Sequence, residues 1–369
     1  MSYIIKNKIE IKPIDIYIFI INILTFIITG FIFIYSSSSI YSLEKFGYSY
    51  YFLKKQLIGF FISLISIIFF YLIPTSYIKR FAKYQYILSI SILLLTFTKF
   101  LGNSINGSSR WINIFGLSFQ PSELVKMAFI IYISYLITNK ANYIYILFIL
   151  FMTDIILLKQ PDFGQTVTIT IVTFILLFIA EYNIIYMIYT LLLSIPISIF
   201  LVLMKPYRLK RIMIFLNPWN DKQGSGFQII QSLIAIGSGH IKGLGIANSK
   251  QKFFYLPMQH TDFIYSIICE ELGFIGGSLI ILLFLMFLYL GLKITLTFKD
   301  NFFFYISLGF ISLITLQAII NISVSISLLP TKGIGLPFIS YGNSALIMNI
   351  SMIGLILNFI RYEKTNKYE

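Results

Sequence analysis

The stretch KPYRLKRIMIFLNPWNDKQGSGFQIIQSLIAIGSGHIKGLGIANSKQKFFYLPMQHTDFIYSIICEELG, Lys205 to Gly273, interrupts a chain that is otherwise almost continuous hydrocarbon. It carries eight basic residues (Lys205, Arg208, Lys210, Arg211, Lys222, Lys242, Lys250 and Lys252), both histidines and a glycine-rich segment. Asp262 stands where its polar sequence gives way to another long apolar run. A helix needs about 20 mostly apolar residues to cross a bilayer core. By that measure the chain predicts ten spans, at 14–35, 56–73, 85–101, 120–137, 143–158, 164–181, 184–204, 262–291, 303–329 and 340–360. The expected fold is an all-α polytopic membrane protein, one unit over residues 1–369, with a large loop of about 205–261 between its seventh and eighth spans.

Composition supports this and excludes other classes. With 58% hydrophobic and 11% charged residues and a mean hydropathy of +0.86, the chain is no soluble globular domain. The first apolar run lacks a small-residue cleavage site and has many equivalents, so it reads as a retained span and not a signal peptide. A single cysteine, Cys269, rules out an intramolecular disulfide and a cysteine-based metal site. The net charge of +14 has no soluble module to present it to nucleic acid; lipid headgroups or an anionic lipid-linked substrate are the better partners.

Lysine and arginine in the short loops set the orientation. With a cytoplasmic N-terminus, twelve lie inside and seven outside once the long loop is set aside, so both termini are expected in the cytoplasm. The long loop then faces outward with its eight cations, which implies an electrostatic task.

Three shorter outward segments carry signals. Gly102 to Leu124 is Gly/Ser-rich, with Trp111 and Phe115 suited to headgroup depth and Pro121 and Glu123 in the first turn of the next span. An interfacial anchor and a binding segment both fit it. Asp162, in KQPDFG, is expected to cap the following helix. Leu329 to Ile347 holds two prolines and three glycines around Lys332 and should break regular helix. Irregular backbone at that depth is stable only when buried in protein or lining a wet cavity. Inside the long loop, Phe227, Ile230, Leu233 and Ile234 share one face of a short amphipathic helix, with Gln228 and Gln231 beside the stripe. A surface helix on the bilayer and a flap over a cavity are both open readings.

Two motifs have the residue types for chemistry. Arg208 and Arg211 lie three apart on one helical face where a span leaves the membrane; they suit phosphate oxygens or simple snorkelling to headgroups. HTDFIYSIICEELG places Asp262, Glu270 and Glu271 at a span entrance, Glu270 about 80° round and ~12 Å deeper than Asp262. An acid in a span is a functional candidate by default, although Asp262 could serve as an N-cap and either glutamate as a structural partner. No P-loop, dinucleotide fingerprint or HExxH pattern occurs. A divalent ion such as Mg2+ or Mn2+, if one takes part, is expected on Asp262 with substrate phosphates.

YRLKRIMIFLNPWND, GSGFQIIQSLIAIGSG, HTDFIYSIICEELG and LPTKGIGLPFISYGNSA, with SSRWI and PSELVK, together resemble the SEDS family (shape, elongation, division and sporulation) over essentially the whole chain. NPWND and LPTKG look like the division branch. The resemblance implies a peptidoglycan glycosyltransferase that polymerises lipid II and works with a class B penicillin-binding transpeptidase and other division-machinery membrane proteins. It implies a place at the septum, in the bacterial cytoplasmic membrane. Asp262 matches the essential acid of the family, Arg208 and Arg211 its loop cations, Lys332 the lysine after LPT and Trp111 the tryptophan of SSRW. Ser340, Gln228 and Gln231 join these as substrate-binding candidates. Two departures stand out: YGNS, with Asn343, replaces the family's YGGS, and LPMQHTD lacks an acid before its histidine. Inverting glycosyl transfer needs a base at the acceptor hydroxyl and positive charge at the leaving pyrophosphate. Asp262 suits the first, and Arg208, Arg211 and Lys332 the second. The rival readings are a lipid II flippase, an elongation-type polymerase and a non-catalytic scaffold.

Overall fold

The structure, a computed structural model, describes residues 12–96, 103–105, 108–114, 117–160, 162–204, 206–221, 224, 226–252, 256–257, 259–331 and 333–365. Apolar runs become helices because, in hydrocarbon, each peptide group must find its partner within the segment. In chain order these are α1 Pro13–Phe46, α2 Tyr51–Leu72, α3 Thr75–Leu95, α4 Pro121–Thr138, α5 Tyr143–Lys159, α6 Phe163–Ile179 and α7 Ile184–Leu203. Two shorter helices follow, α8 Pro206–Leu216 and α9 Phe227–Ser238, and then α10 Ile264–Thr295, α11 Asn301–Ser325 and α12 Asn343–Thr365. Each predicted span overlaps one long helix; α1, α2, α4, α10, α11 and α12 are long and apolar enough to cross a membrane.

Some boundaries differ from expectation. The third run, expected at 85–101, is helical over Thr75–Leu95, because Pro74 at its N-cap ends the preceding segment and Lys79, Arg80 and Lys83 continue the helix. The first continues through its serine tract to Phe46, where Gly47 takes a left-handed conformation, φ 81°. Between α3 and α4 the chain departs from all-α: β1 Asn103–Ile105, β2 Ser108–Ile114 and β3 Leu117–Phe119 form a small antiparallel sheet, with Ile112 opposite Phe119.

Burial is 83% along α4 and α12 and 78% along α11, against 39% along α1 and α10, so the first three form the centre and the others an outer ring. In the centre, α12 lies along α2 and α11 touches α4, α6 and α10, while α1 lies along α10. Phe26 stacks on Phe284 at 4.3 Å, pairing α1 with α10 in the ring, and Phe303 on Phe359 at 4.4 Å, pairing α11 with α12 in the centre.

Regular backbone is interrupted twice inside this bundle. Within α10, Gly273 has φ 68° and ψ −165°, a conformation glycine alone takes readily. The carbonyls of Glu270 and Glu271 accept from Leu244 N and Gly245 N, each at 3.0 Å. Phe274 N and Ile275 N donate to His240 O and Ile241 O at 2.8 and 3.3 Å, so the loop ahead of α10 takes over the bonds the helix gives up. The second interruption is the α11–α12 connection. Its tip presses on α1 at Gly30, where a Cβ would lie 2.9 Å from the carbonyl oxygens of Phe338 and Ile339.

Candidate functional site

Three successive carbonyls ahead of α10 are held from the α11–α12 side. Tyr341 N donates to His260 O at 2.9 Å, Ser340 Oγ to Thr261 O at 2.5 Å and Asn321 Nδ2 to Asp262 O at 2.8 Å. Asn321 Nδ2 also reaches Ile334 O at 2.7 Å, and Leu336 N donates to Ser340 Oγ at 2.7 Å. These bonds lock the HTD backbone to the interrupted connection. The N-cap position of α10 falls on Phe263 with no side-chain cap bond, so Asp262 is not its cap. The Asp262 carboxylate instead faces the connection: a Cβ on Gly333 would lie 3.6 Å from Oδ2.

A cavity of about 920 Å3 opens between these segments. It brings together Asp262, Arg211, Trp111 and Ser340 from sequence-distant elements. Arg211, on α8, donates from Nη1 to Thr331 O at 3.2 Å, tying that helix to the connection. The Ser340 hydroxyl reaches the cavity, but its proton is committed to Thr261 O. Arg208 lies on α8 and its side chain is outside the described residues, as is Lys332 altogether.

Gln228 and Gln231 do not line the cavity. Their helix, α9, buries Ile229, Ile230, Ser232 and Ala235, whereas Ile234 of the expected stripe is 43% exposed. The reason is the loop insertion at Gly273, which turns α9 onto α10; the Ser232 and Ser266 hydroxyls lie 2.5 Å apart. The two glutamates of EELG are structural in geometry. Glu270 accepts from Lys250 N at 2.8 Å and from the Ser249 hydroxyl, and Glu271 from Ser36 Oγ at 2.5 Å and Ala247 N at 3.0 Å.

Around Glu123, the cavity wall holds polar groups that reading the sequence missed. Glu123 Oε1 accepts from Lys126 Nζ at 2.8 Å and from Gln165 Nε2 at 2.9 Å, and Lys126 is 0% exposed. Glu123, Gln165, Gln317 and Asn349 all line the cavity. The available signal was a Glu/Lys pair three apart on a span, the spacing at which helix side chains meet. Asp162 caps α6 as expected, accepting from Gln165 N at 3.3 Å, and also accepts from Gln120 Nε2 at 3.3 Å. The departure at Asn343 is accommodated by α2, where a Cβ on Gly59 would lie 2.5 Å from Asn343 Oδ1.

Next to Asp262, His260 is packed among Phe52, Tyr341 and Tyr41, with ring centroids at 4.2, 5.7 and 6.3 Å. Burial lowers its pKa to about 4, so the imidazole is neutral near pH 7. Among the described residues no group of three or more His, Cys, Asp or Glu could hold a metal ion. Mg2+ held by one carboxylate and substrate phosphates is a mode that Asp262 could support.

The "Cell cycle protein" family model for FtsW, RodA and SpoVE matches residues 16–365. Stage V sporulation protein E of Bacillus subtilis is 38% identical over 358 residues, covering 95% of this chain and 98% of that protein. A probable peptidoglycan glycosyltransferase FtsW of Geobacter sulfurreducens is 37% identical over 366 residues, covering 95% and 96%. Among solved structures, a chain from a study of how a peptidoglycan synthase complex coordinates polymerization and crosslinking superposes with TM-score 0.75 at 24% identity, covering 94% of this chain and 97% of that one. RodA of Thermus thermophilus does so with TM-score 0.69 at 21% identity, covering 93% and 95%. At these identities the structures establish a shared fold.

Proposed function

The chain belongs to the FtsW, RodA and SpoVE family of cell-cycle proteins, and from that premise we propose that it is a peptidoglycan glycosyltransferase of the division type, which polymerises lipid II into glycan strands. One observation carries the assignment to this site: Asp262 and Arg211, 51 residues apart in sequence, face a single cavity of about 920 Å3 inside an integral membrane bundle.

The arrangement suits inverting glycosyl transfer. Asp262 takes the proton of the acceptor sugar's 4-hydroxyl as that oxygen attacks the anomeric carbon of the donor. The bond to the polyprenyl pyrophosphate breaks with inversion, and the pyrophosphate carries away the bonding electrons. General-base assistance of this kind contributes roughly 10²–10⁴-fold. Arg211, joined by Arg208 and Lys332, supplies positive charge where the leaving group departs, guanidinium forks matching phosphate oxygens. A divalent ion would add charge at the same place, held by Asp262 and the substrate phosphates. Trp111 offers an aromatic face to the substrate, and the hydrogen bonds to the carbonyls of His260, Thr261 and Asp262 keep the base in position.

The partner in this reading is a class B penicillin-binding transpeptidase that crosslinks the strands as they emerge. The protein sits in the cytoplasmic membrane at the septum with both termini inside. An Asn248→Cys variant should then be labelled by an impermeant reagent from outside, and a Ser76→Cys variant only after permeabilisation. The deciding experiment reconstitutes the purified chain and its transpeptidase in vesicles with fluorescent lipid II. Glycan strands are expected; lipid II crossing the bilayer with no strands formed would transfer the assignment to a flippase.

A further inference from the structure

A second cavity, of about 680 Å3, lies at the end of the bundle that carries both chain termini, remote from Asp262. Its walls are Ile16 and Ile20 from α1, Ile67 and Ile68 from α2, and Leu357 from α12. Its rim carries Arg361 and Lys364, and among the described residues no acid lines it. An apolar slot closed at one end by cations has the polarity of an amphiphile with an anionic head.

The rim is built, not incidental. Arg361 lies over the ring of Tyr71, with 4.6 Å from Cζ to the centroid, and its Nη2 donates to Asn358 Oδ1 at 3.3 Å. Asn358 is in turn held, its Nδ2 donating to Phe70 O at 2.9 Å and Ile73 O at 2.7 Å. The guanidinium is thereby set against α2 instead of trailing into water. The carboxylate of the same turn is turned elsewhere: Glu363 Oε1 accepts from Lys299 N at 2.7 Å and Asp300 N at 3.2 Å, at the start of α11. Asp15, beside Ile16, is paired with Lys293 at 2.8 Å. Among the described residues, Glu363 and Asp15 are thus both engaged away from the slot. Lys12, at the N-cap of α1, adds a further cation at this end, and basic residues beside spans attract anionic lipid.

We infer that the slot between α1, α2 and α12 is a binding site for an anionic glycerophospholipid of the bilayer, its acyl chain among the isoleucines and its phosphate on Arg361 and Lys364. The occupant is a phosphodiester lipid and not the pyrophosphate substrate. The rim holds two cations and, among the described residues, no carboxylate placed to act as a base.

The test is photo-crosslinking of the full-length chain in phosphatidylcholine vesicles doped with phosphatidylglycerol or phosphatidylcholine bearing a diazirine on the acyl chain. Crosslinks are mapped to the peptides holding Ile16–Ile20, Ile67–Tyr71 and Leu357–Lys364. The phosphatidylglycerol probe should mark these peptides well above the phosphatidylcholine probe, an advantage that falls about fivefold for each cation removed in Arg361→Gln and Lys364→Gln. The two-probe comparison on the unaltered chain needs no variant, and Lys364→Gln, at an exposed position, serves if the Arg361 change disturbs folding. Equal labelling by both probes, or an advantage that survives both substitutions, overturns the inference. So does displacement by a polyprenyl phosphate at lower concentration than by unlabelled phosphatidylglycerol, which would give the slot to the carrier lipid.

Discussion

The two interruptions of regular backbone, at Gly273 and in the α11–α12 connection, solve one problem with opposite results. Both expose peptide groups in a region where water is scarce, and such groups must be paired. At Gly273 the pairing is backbone to backbone, with Glu270 and Glu271 accepting further donors from residues 247–251. The result is a closed joint that seats α9 and residues 244–252. At the α11–α12 connection the pairing is done by side chains, Asn321 and Ser340, with Tyr341 N. Side chains hold the strands of chain apart, and the space between them is the cavity. Carboxylates at the first place hold loop backbone; the one at the second, Asp262, lines the cavity.

Exchanging the acids for amides breaks the comparison most directly, and the largest effect belongs to Asp262→Asn. Asparagine keeps the size but cannot take a proton, so polymerisation should fall by about 10²–10⁴-fold while the thermal midpoint in detergent stays within about a degree or two. Near-normal strand synthesis by this variant would sink the base assignment. Next is Arg211→Gln, which removes a charged group worth about 1.5–3 kcal/mol in a hydrogen bond, or roughly 10- to 100-fold in substrate use. Lysine should restore only part of it, because a point charge does not fork. If Gln at 211 left the rate unchanged, the residue would be only a tether for Thr331.

Glu270→Gln probes the other joint. Its carboxylate takes donors from the Ser249 hydroxyl and from Lys250 N, and an amide presents one acceptor and one competing donor. The expected loss is about 1–3 kcal/mol of stability, read as a lower thermal midpoint and faster hydrogen exchange over residues 244–252. Activity per folded molecule should persist. Loss of activity at undiminished stability would move Glu270 into the chemistry and end the contrast.

The difference between the two joints also marks what could be read in advance. Span positions were legible because apolar length is written directly along the chain, and Asp162 as a cap because its bond is local. The prolines and glycines around Lys332 announced irregular backbone, and HTD named the acid. The exchange of bonds between residues 240–245 and Gly273 was hidden, since partners some 30 residues apart leave no periodic trace. For the same reason Gln228 and Gln231 were aimed at substrate: a helix face states that it is apolar, not what it meets. Lys126 escaped because a hydropathy window averages one cation away, although it pairs with Glu123, which lines the cavity.

The smallest expected effect concerns His260, which stands in the second joint and should sharpen its contrast with the first. Burial among Phe52, Tyr41 and Tyr341 holds its pKa down at about 4, below the ordinary imidazole value of 6.5. The unfolded chain therefore binds a proton on this residue over a range of pH where the folded chain does not. Stability from this site is fully present above about pH 6.5 and is lost as pH falls toward 4. Between pH 7.5 and 5.5 the loss amounts to about 1 kcal/mol, a shift of a few degrees at most in a chain this long. Other groups titrate too, so the measurement is a difference: the acid-side slope of the thermal midpoint in the parent minus that in His260→Gln, which has no proton to gain. A shallower slope in the variant is expected. Equal slopes would mean that the imidazole is as accessible to protons when folded as when unfolded, and that the wall beside Asp262 is wetter than its packing indicates.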